Sequence, residues 1–75
     1  MILDKLKEIF GRINPEIRID NIDETTDLSL ELGLDSVSML MLSYEIETEF
    51  GFYFEPSVSF KTVGDVCKYI EKHLN

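Results

Sequence analysis

The chain has 75 residues, of which 44% are hydrophobic, and its 15 acidic and 7 basic residues give a formal net charge of −8 at pH 7. A chain of this length predicts a single domain over residues 1–75, with a small core and no room for a deep active-site cleft. The negative charge argues against nucleic acid and anionic membranes as partners, because their phosphates would be repelled.

The start of the chain and its cysteine content exclude two further classes of protein. The first residues lack the uninterrupted apolar run of a signal peptide or a membrane span, so we expect a cytoplasmic protein. Cys67 is the single cysteine, and it has neither a second cysteine to pair with nor a nearby set of cysteine or histidine ligands. We therefore expect no disulfide and no metal site.

The first predicted element is an amphipathic helix over residues 2–13. Apolar side chains recur along it at helical spacing, with charged residues on the opposite side. These apolar residues are Ile2, Leu3, Leu6, Ile9, Phe10 and Ile13. Asn14 and Pro15 end the helix, because proline lacks a backbone donor and disfavours helical geometry in the residue before it.

A long connection over residues 15–35 follows. It is acidic and rich in turn-forming residues, but isoleucine and leucine recur along it. The recurring residues are Ile17, Ile19, Ile22, Leu28 and Leu32. This pattern predicts a loop that its apolar side chains hold against the core.

The second predicted helix runs from about Ser36 to Phe50. Gly33 suits a turn with positive φ ahead of it, and the side chain of either Asp35 or Ser36 is expected to cap its first turn. Gly51 is expected to end the helix as its C-cap.

The remaining residues predict a short irregular segment and a last helix, so the whole chain is predicted to be all-α. One helical turn is expected near Pro56, since proline is well tolerated at a first helical position. Thr62 and Asp65 have the spacing of a capping box, and His73 in the final turn is expected at the surface. The apolar stripe of the last helix comprises Val63, Val66, Cys67, Ile70 and Leu74.

The second helix has two apolar faces, and a helix of a small bundle buries only one. The face expected in the core comprises Met39, Leu42, Ile46 and Phe50. The opposite face comprises Val37, Leu40, Met41 and Tyr44, with Glu45 and Glu47 at its margins. Four such side chains in water are unfavourable, so this face is predicted to dock a partner, unless the loops or a second copy cover it. The acidic margins favour a partner with basic docking patches.

Ser36 is placed where a helix begins, and two interpretations of it stay open. The unpaired N–H groups and the positive end of the helix dipole would favour a phosphate ester on this hydroxyl. An aspartate and a serine before an apolar run are also a common capping pair. An enzymatic nucleophile is not supported, because the only histidine is in another helix and no second glycine forms a nucleophile elbow.

Three motifs together resemble the acyl carrier proteins. They are "DLSLELGLDSVSML" (residues 27–40), "EFG" (49–51) and "TVGDVCKYI" (62–70). The Gly-x-Asp-Ser core alone is only moderately specific, but the three motifs occur in the family's order and at nearly its intervals. The resemblance covers essentially the whole chain.

The resemblance implies a single acyl carrier domain, a right-handed four-helix bundle with three main helices, one short irregular helix and a long first loop. It implies that Ser36 carries 4'-phosphopantetheine, which a phosphopantetheinyl transferase that recognises Asp35 moves from coenzyme A. The arm ends in a thiol that carries acyl intermediates as thioesters, and the acyl chain can lie between the helices. The carrier is no enzyme and by default a monomer. Enzymes of fatty acid, polyketide or related specialised biosynthesis act on its cargo and dock on the helix after the serine.

The chain departs from the family pattern at positions that bear on the pathway. Ser38 and Met41 stand where members that serve general fatty acid synthesis usually have acidic residues, so the docking face is more apolar. Leu34 replaces a small residue, and the segment between Gly51 and Thr62 is short for a regular third helix. These departures indicate a carrier for a specialised lipid, polyketide or peptide-like product. The alternatives are a free-standing peptidyl or D-alanyl carrier and, from a different class, an unmodified acidic protein-interaction adaptor.

Overall fold

The computed structural model describes residues 2–55 and 58–74. It contains three α-helices, α1 (Ile2–Ile13), α2 (Ser36–Phe50) and α3 (Val63–Leu74), and a short 3-10 turn at Ile19–Asn21 in the connection between α1 and α2. The described residues form no strand, only an isolated antiparallel bridge between Asp27 and Thr62. The all-α class is therefore confirmed, as are the predicted bounds of the first two helices.

The core is built around α1, which packs against α2, α3 and the 3-10 turn. Leu6, Ile9 and Phe10 of α1 are fully buried, as the apolar spacing of the helix predicts. The helix ends where the N–H of Asn14 donates to the carbonyl of Phe10 at 3.0 Å. The side chain of Asn14 then accepts the N–H of Glu16 at 3.0 Å, which fixes the turn that Pro15 begins.

The long connection is held against the core as predicted. Ile22 and Leu28 are buried, and Ile17, Ile19 and Leu32 pack against the core in partly buried positions. The sequence interpretation missed the 3-10 turn, in which the N–H of Ile22 donates to the carbonyl of Ile19 at 3.2 Å. A single turn of this kind is too short to leave a periodic apolar pattern.

Backbone hydrogen bonds join this connection to the start of α3. The N–H of Leu28 donates to the carbonyl of Lys61 at 2.9 Å, that of Val63 to Thr26 at 2.9 Å, and that of Gly64 to Glu24 at 2.8 Å. A Cβ atom on Gly64 would lie 2.8 Å from the carbonyl oxygen of Glu24, so this close approach requires glycine.

The capping box at the start of α3 is confirmed. The N–H of Asp65 donates to Oγ1 of Thr62 at 3.2 Å, and the N–H of Thr62 donates to Oδ2 of Asp65 at 3.1 Å. Four members of the predicted stripe are buried, but Leu74 is 50% exposed. Leu74 is the last residue of α3, so the burial of the stripe ends before it.

An aromatic cluster, which the sequence interpretation did not predict, joins the segment after α2 to α3. It consists of Phe52, Phe54, Phe60, Tyr69 and His73. His73 is exposed, as expected, but its ring also stacks on Tyr69 with a centroid separation of 4.3 Å. The helical turn expected near Pro56 lies outside the described residues.

Candidate functional site: the start of helix α2

The chain enters α2 through two backbone features that its sequence specifies. Gly33 adopts φ 66°, the left-handed geometry that glycine allows without strain, and Leu34 is buried behind it. Asp35 is the N-cap, and its carboxylate accepts the N–H of Ser38 at 2.8 Å. The cap is therefore Asp35 and not Ser36, which resolves the alternative that the sequence left open.

Ser36 is the first residue of α2, and its side chain is exposed. Because Asp35 caps the helix, the Ser36 hydroxyl does not have to. A group attached to it would lie at the positive end of the helix dipole. The site thus offers an accessible hydroxyl in a field that favours a phosphate ester.

The Asp35 carboxylate stays ionised at neutral pH. The backbone N–H of Ser38, and next the Ser38 hydroxyl, lower the pKa of Asp35 below its ordinary value. An acidic group next to Ser36 is therefore present in charged form for any enzyme that reads it.

The outer face of α2 is exposed along its first two and a half turns. Val37 is 65% exposed, Leu40 72%, Met41 46% and Tyr44 67%. Leu42 and Ile46 on the opposite side are buried, with Met39 and Phe50 packed beside them. The described residues therefore leave this apolar face open to solvent.

The two glutamates at the margins of this face have partners within the domain. Glu45 Oε1 lies 3.0 Å from Nη2 of Arg12 on α1. Glu47 Oε2 accepts the N–H of Phe54 at 2.8 Å. Neither contact was predicted: Arg12 is 33 residues from Glu45, and the Glu47 contact spans the irregular segment after α2. One margin of the face thus carries an ion pair and the other a structural hydrogen bond.

Two open cavities meet at Ser36. The first, of about 570 Å³, is called the Phe54 cavity; the residues that define it are Ser36, Met39, Leu40, Phe54, Val58 and Phe60. The second, of about 520 Å³, is called the Leu34 cavity and lies between Ser36, Leu28, Leu34 and Phe60. The sequence interpretation missed Phe54 and Phe60, because only the fold brings them to the start of α2.

The arrangement gives no support to catalysis by Ser36. His73 Nδ1 lies 3.0 Å from the carbonyl oxygen of Tyr69, and its ring belongs to the aromatic cluster at the end of α3. A serine nucleophile needs a base within hydrogen-bond reach. Over the described ranges, no group of three or more His, Cys, Asp or Glu residues is placed to hold a metal ion.

Comparison with known proteins identifies the family. A family profile described as the phosphopantetheine attachment site matches residues 2–70. The chain is 32% identical over 74 residues to the acyl carrier protein of Lactobacillus acidophilus, covering 96% of this chain and 91% of the relative. It is 36% identical over 74 residues to that of Clostridium perfringens, covering 96% of both, and 37% identical over 78 residues to that of Phytoplasma australiense, covering 99% of both.

The chain belongs to the acyl carrier protein family. Membership implies a covalently attached 4'-phosphopantetheine, and the family serves biosynthetic enzymes together with the transferase that installs this group. The site fits such a group, since the Ser36 hydroxyl is exposed and two open cavities begin beside it. None of the helices in the described ranges combines the length and the apolar character needed to span a bilayer.

Proposed function

We propose that Ser36 is the attachment point of 4'-phosphopantetheine in this acyl carrier protein, and that Asp35 is read by the phosphopantetheinyl transferase. The observation that carries the proposal is the division of tasks at the start of α2. Asp35 caps the helix, which leaves the exposed Ser36 hydroxyl available for a phosphodiester. When bound, the group supplies a thiol that holds an acyl intermediate as a thioester.

The chain's own residues present this arm and perform no chemistry on the cargo. The face formed by Val37, Leu40, Met41 and Tyr44 is the proposed docking surface. The partners are biosynthetic enzymes with basic patches, which Glu45 and Glu47 at the margins favour. A partner that binds Glu45 or Glu47 has to compete with their contacts to Arg12 and Phe54 within the domain. The apolar centre of the docking surface is therefore proposed to supply most of the affinity.

The proposed carrier works as a cytoplasmic monomer in fatty acid, polyketide or related specialised biosynthesis. Its fold is proposed to be a right-handed four-helix bundle whose short irregular helix lies after α2. Ser38 and the half-exposed Met41 make the face less acidic, which favours a specialised pathway.

Modification of the purified protein tests this function. The protein is incubated with coenzyme A, magnesium and a broad-specificity phosphopantetheinyl transferase, and its intact mass is measured. We expect one phosphopantetheine per chain in the wild type and in Ser38→Ala, since the Ser38 backbone N–H still reaches Asp35. Ser36→Ala should gain no mass. A wild type without the added mass, or a gain that persists in Ser36→Ala, contradicts the proposal.

A further inference from the structure

Leu30 is the most exposed large apolar side chain among the described residues, at 85%. It lies in the connection before α2, so the docking surface proposed above does not include it. A single leucine on a protein surface is common and by itself needs no explanation. Leu30 differs from such a residue in the way the chain around it is held and in its position beside Ser36.

The turn that carries Leu30 is ordered by Asp27. Oδ1 of Asp27 accepts the N–H of Ser29 at 2.9 Å and that of Leu30 at 2.7 Å. The carbonyl of Asp27 accepts two further N–H groups, that of Glu31 at 3.1 Å and that of Leu32 at 3.2 Å. The backbone on both sides of Leu30 is therefore bonded to one residue, which sets the direction in which the leucine side chain leaves the turn.

Both ends of the turn are anchored in the core. The N–H of Leu34 donates to the carbonyl of Leu28 at 3.1 Å, which closes the turn. Leu28 and Leu34 are buried, and the N–H of Leu28 donates to the carbonyl of Lys61 at 2.9 Å. A turn held in this way has to break these contacts before it can fold back over its own tip. The exposure of Leu30 is thus a property of the folded domain.

The same turn borders the Ser36 hydroxyl. Ser29, the residue before Leu30, lines the Leu34 cavity together with Ser36 and Asp35. Consecutive Cα atoms are about 3.8 Å apart, so the exposed Leu30 lies at the outer edge of this cavity. An enzyme that acts on the Ser36 hydroxyl has to cover the residues around it, and this turn is among them.

An apolar side chain in this position contributes to binding at low entropic cost. Because the backbone that carries Leu30 is already ordered, little conformational freedom is lost when a partner covers it. Burial of its apolar surface is favourable, and a few such anchors supply most of the affinity of an interface. Glu31 follows Leu30 in the chain and Asp35 lines the neighbouring cavity, so a complementary pocket is apolar with a basic rim.

We propose that Leu30 is an anchor for the phosphopantetheinyl transferase, which receives this side chain in an apolar pocket with a basic rim, and that Asp27 is the residue that positions it. The proposal rests on the proposed attachment at Ser36 and adds a contact outside α2. The transferase then holds the carrier by the outer face of α2 and by the turn before it, with Ser36 between the two in the chain.

Transferase kinetics test the contact. The initial rate of mass gain with coenzyme A and magnesium, measured at several carrier concentrations, gives KM and kcat. We expect Leu30→Ala to raise KM about tenfold with kcat little changed, because a contact made equally before and during the reaction changes KM alone. Leu30→Met keeps an apolar side chain of similar length and should recover most of this loss. Both variants should keep the wild-type midpoint of urea unfolding, since Leu30 is exposed.

Tyr53→Ala is the matched control. Tyr53 is 84% exposed, lies in the segment after α2, and is not among the described residues that line either cavity at Ser36. Its KM should equal that of the wild type.

Two variants of Asp27 test its role in positioning, compared at a temperature at which both are folded. Asp27→Ala removes the side-chain acceptor of two N–H groups in the turn, so KM should rise. Asp27→Asn keeps an acceptor and should give a smaller rise. Equal KM values in the two variants would overturn this role.

Three outcomes overturn the proposed contact: an unchanged KM in Leu30→Ala, an equal rise in Tyr53→Ala, or a large fall in the unfolding midpoint of Leu30→Ala, which would place the side chain in the core. Size-exclusion chromatography at high carrier concentration adds a fourth, since a wild-type dimer that Leu30→Ala dissociates would assign Leu30 to a second copy of the chain. A wild type that gains no mass at all would instead contradict the proposed attachment at Ser36.

Discussion

Asp35 combines two roles, a structural one that the geometry defines and a proposed one in recognition. Its carboxylate accepts the Ser38 N–H at 2.8 Å, and that bond is also the main reason why its pKa is lowered. The same charge lies next to the proposed attachment residue. A substitution that keeps an acceptor but removes the charge separates the two roles.

Asp35→Asn is expected to fold almost as stably as the wild type and to be modified more slowly. Asparagine is as good an N-cap as aspartate, but it offers no charge to the transferase. Melting temperature and the initial rate of mass gain measure the two effects. Asp35→Ala is the control that should lose both cap and charge. An Asp35→Asn variant modified at the wild-type rate would show that the charge is not read.

Gly64 and Gly11 form a matched pair of helical glycines. A Cβ atom at Gly64 would lie 2.8 Å from the Glu24 carbonyl oxygen, whereas at Gly11 its nearest neighbour is Ile19 Cγ2 at 3.7 Å, an ordinary contact. Gly64→Ala should therefore destabilise by about 1–3 kcal/mol. Gly11→Ala should stabilise by about 0.5–1 kcal/mol, because alanine favours helix.

Urea unfolding of the two glycine variants measures both changes. The same substitution should lower the free energy of unfolding at Gly64 and raise it at Gly11. The difference separates the effect of the contact to Glu24 from the effect of helix propensity. Equal changes in the free energy of unfolding of the two variants would mean that the backbone at Glu24 moves to accommodate the added Cβ atom, so that α3 does not pack tightly against it.

At the scale of the elements, the sequence predicted those parts of the fold that leave a local pattern. The bounds of α1 and α2, the burial of Leu42 and Ile46 and the capping box of α3 all follow from spacing along one segment. Apolar recurrence also indicated that the long connection packs on the core. These features depend on neighbours within about two helical turns, so a single sequence contains them.

The parts that were missed depend on residues far apart in the chain. Arg12 meets Glu45 across 33 positions, and Tyr69 of α3 meets Phe54 and Phe60 only after folding. The 3-10 turn at Ile19–Asn21 was missed for a different reason, since three residues are too few to show a period. In the candidate site, Ser36 and Asp35 were predicted from the motif, whereas the residues that line the cavities could be named only from the fold.

The two faces of α2 give a prediction that distinguishes docking from folding. Met41→Glu should change the free energy of unfolding by less than about 0.5 kcal/mol, because Met41 is 46% exposed. It should raise the KM of the transferase for the carrier at least fivefold, the effect of about 1 kcal/mol lost from an apolar docking contact. Urea unfolding and the rate of mass gain at several carrier concentrations provide the two measurements.

Leu42→Ala is the control for this prediction. Leu42 is 2% exposed, so its truncation should cost about 2–5 kcal/mol of stability and leave the docking face in place in the molecules that remain folded. A large loss of stability in Met41→Glu would mean that this side chain belongs to the core. An unchanged KM would exclude Met41 from the transferase contact.

The charge of the whole molecule is unevenly distributed along the chain. The net charge is −8, and no basic residue lies between Arg18 and Lys61. Two ion pairs from α1, Lys5 with Glu49 at 3.8 Å and Arg12 with Glu45 at 3.0 Å, bring positive charge to α2. The molecule measures 31 × 25 × 20 Å, so at low salt the acidic groups lie within about one Debye length, roughly 30 Å, of one another, and their repulsion opposes the compact state.

The melting temperature should therefore rise when salt is increased from about 10 to 200 mM, a range over which the Debye length falls from about 30 to below 10 Å. Divalent cations should raise it further at equal ionic strength, since they accumulate more strongly around carboxylates. The described residues offer no cluster able to hold a metal ion, so magnesium and calcium should act alike. A melting temperature that does not change with salt over this range would show that repulsion does not limit stability. A much larger rise with calcium than with magnesium would reveal a specific site instead of diffuse screening.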